Sequence, residues 1–221
     1  MTLIHFQAES FTPLLSGALF WPTENTLLVA DLHLEKMSSF ASNGQLLPPY
    51  DSKATLALLS KDITDTKADQ VICLGDSFHR DSGATSLAGA LKRQIQTLTQ
   101  QVDWHWLWGN HDPGVHYLGG RCAQNMAFGN ITLCHEPSKD HRGQISGHLH
   151  PSARIFINGR ATRRPCFVYD ERLMILPAYG VSTGTLNILS DAFEGLFERE
   201  NLAVTMLGKD RLYPVATKFL V

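Results

Sequence analysis

The sequence contains no long apolar run, no excess of charge of one sign and no closely spaced cysteines. Its 221 residues include 19 basic and 21 acidic side chains, so a nucleic-acid partner would have to bind a local patch. The four cysteines lie far apart, which argues against a thiolate zinc site or a disulfide framework and suits a reducing cytosol. The first residues lack a basic secretory start, and no segment has membrane-spanning length. We therefore expect a cytoplasmic protein with no membrane contact, and the sequence indicates no particular oligomeric state.

The arrangement of apolar residues predicts an α/β fold in one domain over residues 1–221. Hydrophobic residues make up 43% of the chain and charged residues 18%, as in ordinary globular proteins. Strand-like runs alternate with helices in the first half, where Asp51 is a reasonable N-cap and a second helix is predicted over residues 86–101. A helix between two strands implies that the strands pair in parallel. The second half is rich in strand-like runs and ends in a predicted hairpin.

Residues 102–108 alternate between polar and apolar side chains, which is typical of a strand with one buried face. The alternation puts Trp104, Trp106 and Trp108 on the same side. We expect all three to lie in the core, and we favour this over the alternative of a platform on which bases stack.

Five short patches contain polar residues suited to metal binding, and most of them follow an apolar, strand-like run. They are Asp31-Leu-His33, Gly75-Asp76, Gly109-Asn110-His111-Asp112, Cys134-His135-Glu136 and Gly147-His148-Leu-His150. Strand tips deliver such side chains into a crevice at one edge of a sheet. Any one of them alone is more often structural; the pair Asp31 and His33, for example, would more often be a solvated carboxylate and a surface histidine. The five together predict a site for two divalent ions.

We assign Asp76 as the carboxylate shared by the two ions. The first ion is assigned Asp31, His33 and His150, and the second Asn110, His135 and His148. Residues two apart on an extended chain point the same way, so each Asp-x-His or His-x-His pair can reach one cleft. Carboxylate, amide and imidazole ligands without thiolate suit Mn²⁺ best, with Fe²⁺ and Zn²⁺ as alternatives. Two such ions can clamp a phosphoryl group and activate a water between them.

Two further histidines are candidates for catalysis rather than metal binding. His111 follows the ligand Asn110, and Asp112 could orient its imidazole so that it acts as a general acid. His79, three residues beyond Asp76, could contact the phosphate or the leaving group. The alternatives are that His111 only caps the turn and that His79 is a surface histidine.

The five polar patches resemble the signature blocks of the calcineurin-like binuclear metallophosphoesterases. The resemblance implies a four-layer α/β/β/α sandwich with the ions at the C-terminal tips of the central strands. It also implies the ligand and acid roles given above.

A narrower resemblance, to the bacterial ligase-associated DNA damage response endonucleases, covers most of the chain. That family implies an Mn²⁺-dependent endonuclease acting on single-stranded or unpaired DNA in repair, in functional association with a DNA ligase and a helicase. It also implies that His79 helps with DNA, whereas the segment from Val181 to Thr185 departs from the expected glycine-rich pattern. The matching blocks are Asp31-Leu-His-Leu-Glu-Lys36, Leu46-Leu-Pro-Pro-Tyr-Asp51, Cys73-Leu-Gly-Asp-Ser-Phe-His79, Arg164-Pro-Cys-Phe167 and Leu176-Pro-Ala-Tyr-Gly180.

The most basic stretch of the chain brackets His148 and His150. Its members include Arg142, Arg163 and Arg164, which could follow the phosphates of a flexible strand. The alternative is a solvated loop edge.

From the metal-binding patches and the resemblance together, we expect a phosphodiesterase that uses in-line attack by a metal-activated water. The two alternative functions are a phosphomonoesterase or nucleotide hydrolase of the same fold and, from another class, a metal-bound scaffold without catalysis.

Overall fold

A computed structural model describes residues 2–38, 50–80, 82–157 and 159–221 and shows two β-sheets. The first sheet has seven strands arranged in chain order. They are β1 (Ile4–Phe6), β2 (Glu9–Pro13), β3 (Leu19–Trp21), β4 (Thr26–Val29), β5 (Gln70–Cys73), β6 (Asp103–Leu107) and β7 (Arg121–Ala123). Strands β1 to β4 pair antiparallel and β4 to β7 pair in parallel, with helices between β4, β5 and β6.

The second sheet has nine strands and contains the C-terminal hairpin. It comprises β8 (Met126–Phe128), β9 (Ile131–Leu133), β10 (Gln144–Ser146), β11 (Pro151–Ile157), β12 (Arg160–Tyr169), β13 (Leu173–Ile175), β14 (Leu186–Asn187), β15 (Ala203–Leu207) and β16 (Leu212–Val215). Strand β10 pairs in parallel with both β9 and β13, and β11 and β12 form a long antiparallel pair. The predicted hairpin at the C-terminal end is confirmed as β15 and β16.

Three helices lie wholly within the described ranges: α1 (Asp51–Thr66), α2 (Gly83–Ser86) and α3 (Gly89–Gln101). Helices α1 and α3 cover the outer face of the first sheet through Leu56, Leu59 and Ile95. None of the helices in the described ranges is both long enough and apolar enough to cross a membrane. The parallel strands β4 and β5 are fully or almost fully buried, as expected for strands covered on both faces.

The two sheets pack face to face over a shared apolar layer. Phe11, Trp21 and Ile72 from the first sheet meet Phe167 and Met174 from the second. The predicted mixed α/β fold with two sheets is confirmed. On the outer face of the second sheet, the described residues contribute a 3-10 turn, Asp191–Phe193, in place of an α-helix. The fourth layer is therefore built from turns and connecting segments in the described part of the chain.

Several local predictions need correction. Trp104 and Trp106 are buried as expected, but Trp108 is exposed because it lies just beyond the end of β6. The helix predicted over residues 86–101 is interrupted between α2 and α3. Asp51 is the first residue of α1 rather than its N-cap, which is Tyr50. Of the block from Leu46 to Asp51, residues 46–49 lie outside the described part of the chain.

Candidate metal centre

The predicted ligands lie together where five parallel strands end. Strands β4, β5 and β6 of the first sheet run in parallel, and so do β9 and β10 of the second sheet. Both sets finish at the same edge of the sandwich. The seven side chains come from the connections after these strands and form two neighbouring clusters. They are Asp31, His33, Asp76, Asn110, His135, His148 and His150.

The first cluster joins Asp31, His33 and His150, whose potential ligand atoms all lie within 4.8 Å of one another. The Nε2 atoms of His33 and His150 are 3.1 Å apart, and His150 Nε2 is 3.4 Å from Asp31 Oδ1. Asp31 and His33 are buried and come from the first sheet, whereas His150 is half-buried and comes from the second. This set can hold one divalent cation.

The second cluster joins Asp76, His135 and His148, again within 4.8 Å. Asn110 belongs with it, because its Oδ1 atom lies 3.0 Å from His135 Nε2 and 3.0 Å from His148 Nδ1. The two imidazole nitrogens are 3.1 Å apart. This set can hold a second cation with three kinds of donor: carboxylate, amide and imidazole.

Asp76 lies between the two clusters and reaches each with a different oxygen. Its Oδ1 is 3.4 Å from His135 Nε2, and its Oδ2 is 3.8 Å from His33 Nε2. Burial raises the pKa of Asp76, but the hydrogen bond and charge of His135 and the backbone amide of His111 outweigh it and lower the pKa to about 2. An ionised carboxylate with one oxygen toward each cluster has the geometry of a bridging ligand.

Hydrogen bonds to backbone carbonyls orient two of the imidazoles. His135 Nδ1 donates to the carbonyl of Leu74 at 2.9 Å, and His150 Nδ1 to that of Gly184 at 3.2 Å. In the neutral form of each ring, this bond leaves the Nε2 lone pair available to a metal, which is how proteins fix the tautomer of a ligating histidine. Gly184 was not assigned to the site from the sequence, because a carbonyl role carries no side-chain signal.

The electrostatics of the centre favour bound cations. Burial lowers the pKa of His135, but Asp76 and Asp31 outweigh it and raise the pKa to about 9, so the carboxylates attract positive charge into this position. For His33, burial dominates and lowers the pKa to about 4, which keeps that imidazole neutral and able to donate its lone pair. The donor set therefore fits two divalent ions in both chemistry and charge.

Five of the seven predicted ligands have left-handed backbones, with φ of +55° at Asp31, +43° at His33, +49° at Asp76, +71° at His148 and +46° at His150. The two pairs of alternate residues are therefore not extended, and the expectation that they converge because of strand geometry is wrong. Their side chains converge because sharp turns follow the strands. Residues other than glycine rarely adopt this region, at a cost of roughly 1–2 kcal/mol each, and such strain clusters at functional sites.

Gly75 shows why a glycine precedes a ligand here. It has φ of +83°, and a β-carbon on it would lie 2.6 Å from ring atoms of His135. The imidazole of His135 therefore occupies the space that any other residue at position 75 would fill. A glycine with positive φ leaves that space free and carries little strain.

His111 and His79 lie beside the clusters without belonging to them. Their rings stack at 5.6 Å with an interplanar angle of 19°, and both also contact the ring of His33. His111 Nε2 is 3.9 Å from Asp76 Oδ2, and 44% of its side chain is exposed. His111 can therefore meet both solvent and a substrate at the centre, and one face of its ring is covered by His79.

Asp112 has a different role from the predicted one. Its carboxylate is buried and accepts hydrogen bonds from the backbone amides of Asp76 and Gly109 through Oδ1 and of Phe78 through Oδ2, each at 3.0 Å. These bonds tie the connection after β5 to the connection after β6. Asp112 therefore holds the loops that carry Asp76 and Asn110, and no bond to the His111 imidazole is found among the described contacts.

Arg163 supports the first cluster from outside it. Its guanidinium donates to the hydroxyl and carbonyl oxygens of Thr185, and its Nε donates to Ser152 Oγ at 2.7 Å. Thr185 directly follows Gly184, whose carbonyl accepts the bond from His150. The charge of Arg163 is thus used within the protein, to fix the segment that orients a metal ligand.

The other two predicted arginines lie elsewhere. Arg142 precedes β10, so it lies at the end of that strand opposite to the ligands, in a pocket with Asp170 and Glu171. Arg164 lines an apolar pocket of about 760 Å³ on the hairpin side of the second sheet, away from Arg163. This placement does not support contact of either residue with a strand bound at the metal centre. Sequence proximity to His148 and His150 was misleading because Arg142 lies at the other end of β10. Arg163 and Arg164 are adjacent on β12, so their side chains lie on opposite faces of the sheet, and only that of Arg163 reaches the segment that orients His150.

A segment from the second half of the chain closes the site on one side. Backbone amides of Tyr179 and Gly180 donate to the carbonyls of Ala30 and Asp31, at 2.8 and 3.2 Å. They extend the hydrogen bonding of β4 to the first ligand. The block ending at Gly180 is one that the narrower resemblance contains, but the residue patterns alone did not assign it to the site.

Comparison with known families agrees with this geometry. A model of the family described as calcineurin-like phosphoesterase matches residues 25–160, more than half of the chain. This chain belongs to that family. The predicted superfamily is therefore confirmed, and the phosphoesterase is a metal-dependent hydrolase of phosphoester bonds with two candidate metal positions.

One solved structure extends the likeness over 97% of this chain. A nuclease from Pseudomonas putida, MPE, is 26% identical with a TM-score of 0.73, and the match covers 97% of this chain and 99% of that one. A protein of unknown function from Aquifex aeolicus, AQ665, is 16% identical with a TM-score of 0.40 over 57% of this chain and 78% of its own. The E. coli phosphoesterase Yfce is 13% identical with a TM-score of 0.38, over 87% and 92%. No curated protein matches the sequence at a significant level.

Proposed function

We propose that this phosphoesterase is an endonuclease that hydrolyses phosphodiester bonds of single-stranded or unpaired DNA in repair. The observation that carries the proposal is the arrangement of Asp76 between two donor clusters, with the non-ligand His111 beside it. A metal scaffold without catalysis has no need of a half-exposed histidine at that position. The Pseudomonas putida nuclease, which is similar over 97% of this chain, supports a nucleic-acid substrate.

The chain's own residues provide the binding and proton transfer that hydrolysis needs. Two bound divalent ions would supply charge neutralisation for the phosphate and a nucleophilic water at neutral pH. Asp31, His33 and His150 would hold one ion, and the second cluster the other, with Asp76 shared.

His111 is placed to act as the general acid. Its Nε2 can give a proton to the leaving oxygen of the sugar as the bond from phosphorus to that oxygen breaks and the bond from phosphorus to the water oxygen forms. The stacked ring of His79 limits the orientations open to His111. Asp112 acts one step further away, because it fixes the two loops from which Asp76 and His111 project.

Several finer points belong to the same proposal. We infer that Mn²⁺ is the working ion, because the seven proposed ligands of the centre combine imidazole, carboxylate and amide donors and include no thiolate. We also propose one domain over residues 1–221, a cytoplasmic location and functional association with a DNA ligase and a helicase. Arg142 and Arg164 are not part of the proposed DNA path.

A panel of substrates tests the function. Purified protein is supplied with Mn²⁺, Mg²⁺ or Zn²⁺ and offered linear, circular and bubble-containing DNA, an aryl phosphodiester and an aryl phosphomonoester. We expect Mn²⁺-dependent cutting of circular single-stranded DNA and of the bubble, together with hydrolysis of the diester. Preferential hydrolysis of the monoester without cutting of any DNA would overturn the proposal in favour of a phosphomonoesterase.

A further inference from the structure

Trp108 is unlike the other tryptophans of the chain. All four lie in the described residues, and Trp21, Trp104 and Trp106 are between 1% and 2% exposed, whereas Trp108 is 37% exposed. Trp104 and Trp106 fill the core between the first sheet and its helices. Trp108 continues the same alternation but extends past the end of β6, where no core remains to receive it. A large aromatic surface is thus left in contact with water at the edge that carries the metal ligands.

The backbone of Trp108 is fixed close to the metal centre. Its amide donates to the carbonyl of Ala123 at 2.9 Å, which extends the pairing of β6 with β7 by one residue. The next residue, Gly109, lies against Asp76, and the one after it is the ligand Asn110. Trp108 is therefore anchored on a strand end, one residue from a backbone position that contacts the bridging carboxylate.

The connection that begins at Trp108 exposes other apolar side chains. Val115 is 65% exposed and Tyr117 is 93% exposed, and both lie between Asn110 and the start of β7. The same connection contains the half-exposed His111. Trp108 thus begins a connection that carries a metal ligand, the candidate general acid and further exposed apolar side chains, and its ring is open to a ligand bound at the centre.

We propose that Trp108 stacks on an unpaired base of the DNA strand whose phosphate occupies the metal centre; the inference rests on the proposed function and names how the strand is held. Every base has an aromatic face, so stacking binds a strand without reading its sequence. A base within a duplex already stacks on its neighbours and is not available. Trp108 thus selects single-stranded and unpaired DNA, a preference that the metal clusters alone do not provide, because they contact only the phosphate.

The inference is tested by removing the bases from the DNA strand and, separately, the indole ring from position 108 of the protein. Binding is measured by anisotropy with Ca²⁺ in place of Mn²⁺, so that the metal positions can be filled while cutting is suppressed. The ligands are a labelled oligothymidylate and an oligomer of the same length built from abasic residues. Wild type should bind the base-bearing strand on the order of 10-fold more tightly than the abasic one. In Trp108→Ala this ratio of affinities should fall to near one. In Trp108→Phe the ratio should lie between the values for wild type and for Trp108→Ala.

The fluorescence of Trp108 gives a second measurement. Because the other three tryptophans are buried, the base-bearing strand should quench wild-type emission more than the abasic strand does, and Trp108→Phe should abolish this difference. Tyr213→Ala, which removes an exposed aromatic ring from β16, is the control and should keep the binding ratio of wild type.

Two outcomes would overturn the inference. One is a Trp108→Ala protein in which the ratio of the two affinities, base-bearing over abasic, is the same as in wild type. This includes a loss of affinity by the same factor for both strands, which would mean that the ring has only a structural role. The other is the absence of any base-dependent binding by wild type. The proposed function fails separately, if wild type with Mn²⁺ cuts no DNA in the substrate panel.

Discussion

Gly109 lies against Asp76 so closely that a β-carbon at position 109 would be 2.1 Å from Asp76 Oδ1 and 2.2 Å from its backbone nitrogen. Both atoms are fixed, since Oδ1 accepts the amide of His111 and the nitrogen donates to Asp112. The position of the shared Asp76 carboxylate therefore requires a residue without a β-carbon at position 109.

Gly109→Ala should displace Asp76 and weaken the binding of both ions. We expect a loss of stability of about 1–3 kcal/mol, as for other overpacked sites, and near-complete loss of hydrolysis. Urea unfolding and metal titration followed by calorimetry measure the two effects. Gly89→Ala at the start of α3 is the control, because its β-carbon would meet only the flexible end of Arg93, at 3.5 Å. Wild-type metal affinity in Gly109→Ala would contradict the expectation.

Asp76→Asn should separate the two ions. The amide keeps the shape of the side chain but loses the charge that faces both clusters, so we expect fewer than two ions per chain and a loss of activity of at least about 100-fold. Elemental analysis of dialysed protein gives the metal content. Asp65→Asn on the exposed side of α1 should leave both quantities unchanged. Two tightly bound ions in Asp76→Asn would end the bridging assignment.

Removal of His111 should affect catalysis but not metal content. In His111→Ala we expect both ions to stay bound and the rate of diester hydrolysis to fall about 10²–10⁴-fold, the usual effect of losing a general acid. An aryl diester with a good leaving group should be affected less than DNA, because its leaving oxygen needs no proton. Equal losses for both substrates would argue that His111 binds the phosphate instead.

Asp112 should behave as a structural residue. Asp112→Asn replaces one acceptor oxygen by an NH₂ group, so at least one of the three backbone amides loses its partner, at a cost of about 1–3 kcal/mol. We expect a lower midpoint in urea and weaker metal binding in this variant. If it kept wild-type stability and lost only catalysis, as expected for His111→Ala, the orienting role first predicted from the sequence would be restored.

Arg163 and the adjacent Arg164 provide a test variant and its matched control. Arg163→Lys should weaken metal binding by up to about 10-fold, the lower end of the range seen when the direct partner of a ligand is lost, because Arg163 acts through Thr185 and Gly184. The compact ammonium group of lysine does not reproduce the planar fork that bonds to both Ser152 and Thr185. Arg164→Lys, one residue on but in the pocket of the hairpin, should bind metal as wild type does. Equal effects of the two substitutions would exclude a role for Arg163 in orienting His150.

Residue type and order along the chain were enough to predict the two donor sets. Carboxylate, amide and imidazole groups that follow apolar runs identify strand tips, and parallel strands bring such tips to one edge. The way in which the side chains converge was not predictable from the patterns, because positive φ at Asp31 or His148 is set by contacts with the other sheet.

The roles of Asp112, Arg142 and Trp108 were misjudged for a common reason. The role of each was inferred from the residues next to it in sequence. Its actual environment depends on where the adjacent strand begins or ends. Asp112 bonds to amides of a connection that lies 34 and 36 residues earlier in the chain. Trp108 follows two buried tryptophans with the same spacing, and the alternation itself does not mark where the strand stops.

Each cluster takes its donors from both sheets of the sandwich: Asp31 and His33 meet His150, and Asp76 meets His135 and His148. An ion in either cluster would therefore link the two sheets and fix the distance between their strand ends. The same distance determines whether the donors of the neighbouring cluster are close enough together to bind an ion. Loading of the two ions should consequently be cooperative, so that the protein converts between empty and doubly filled forms with little of the singly filled one.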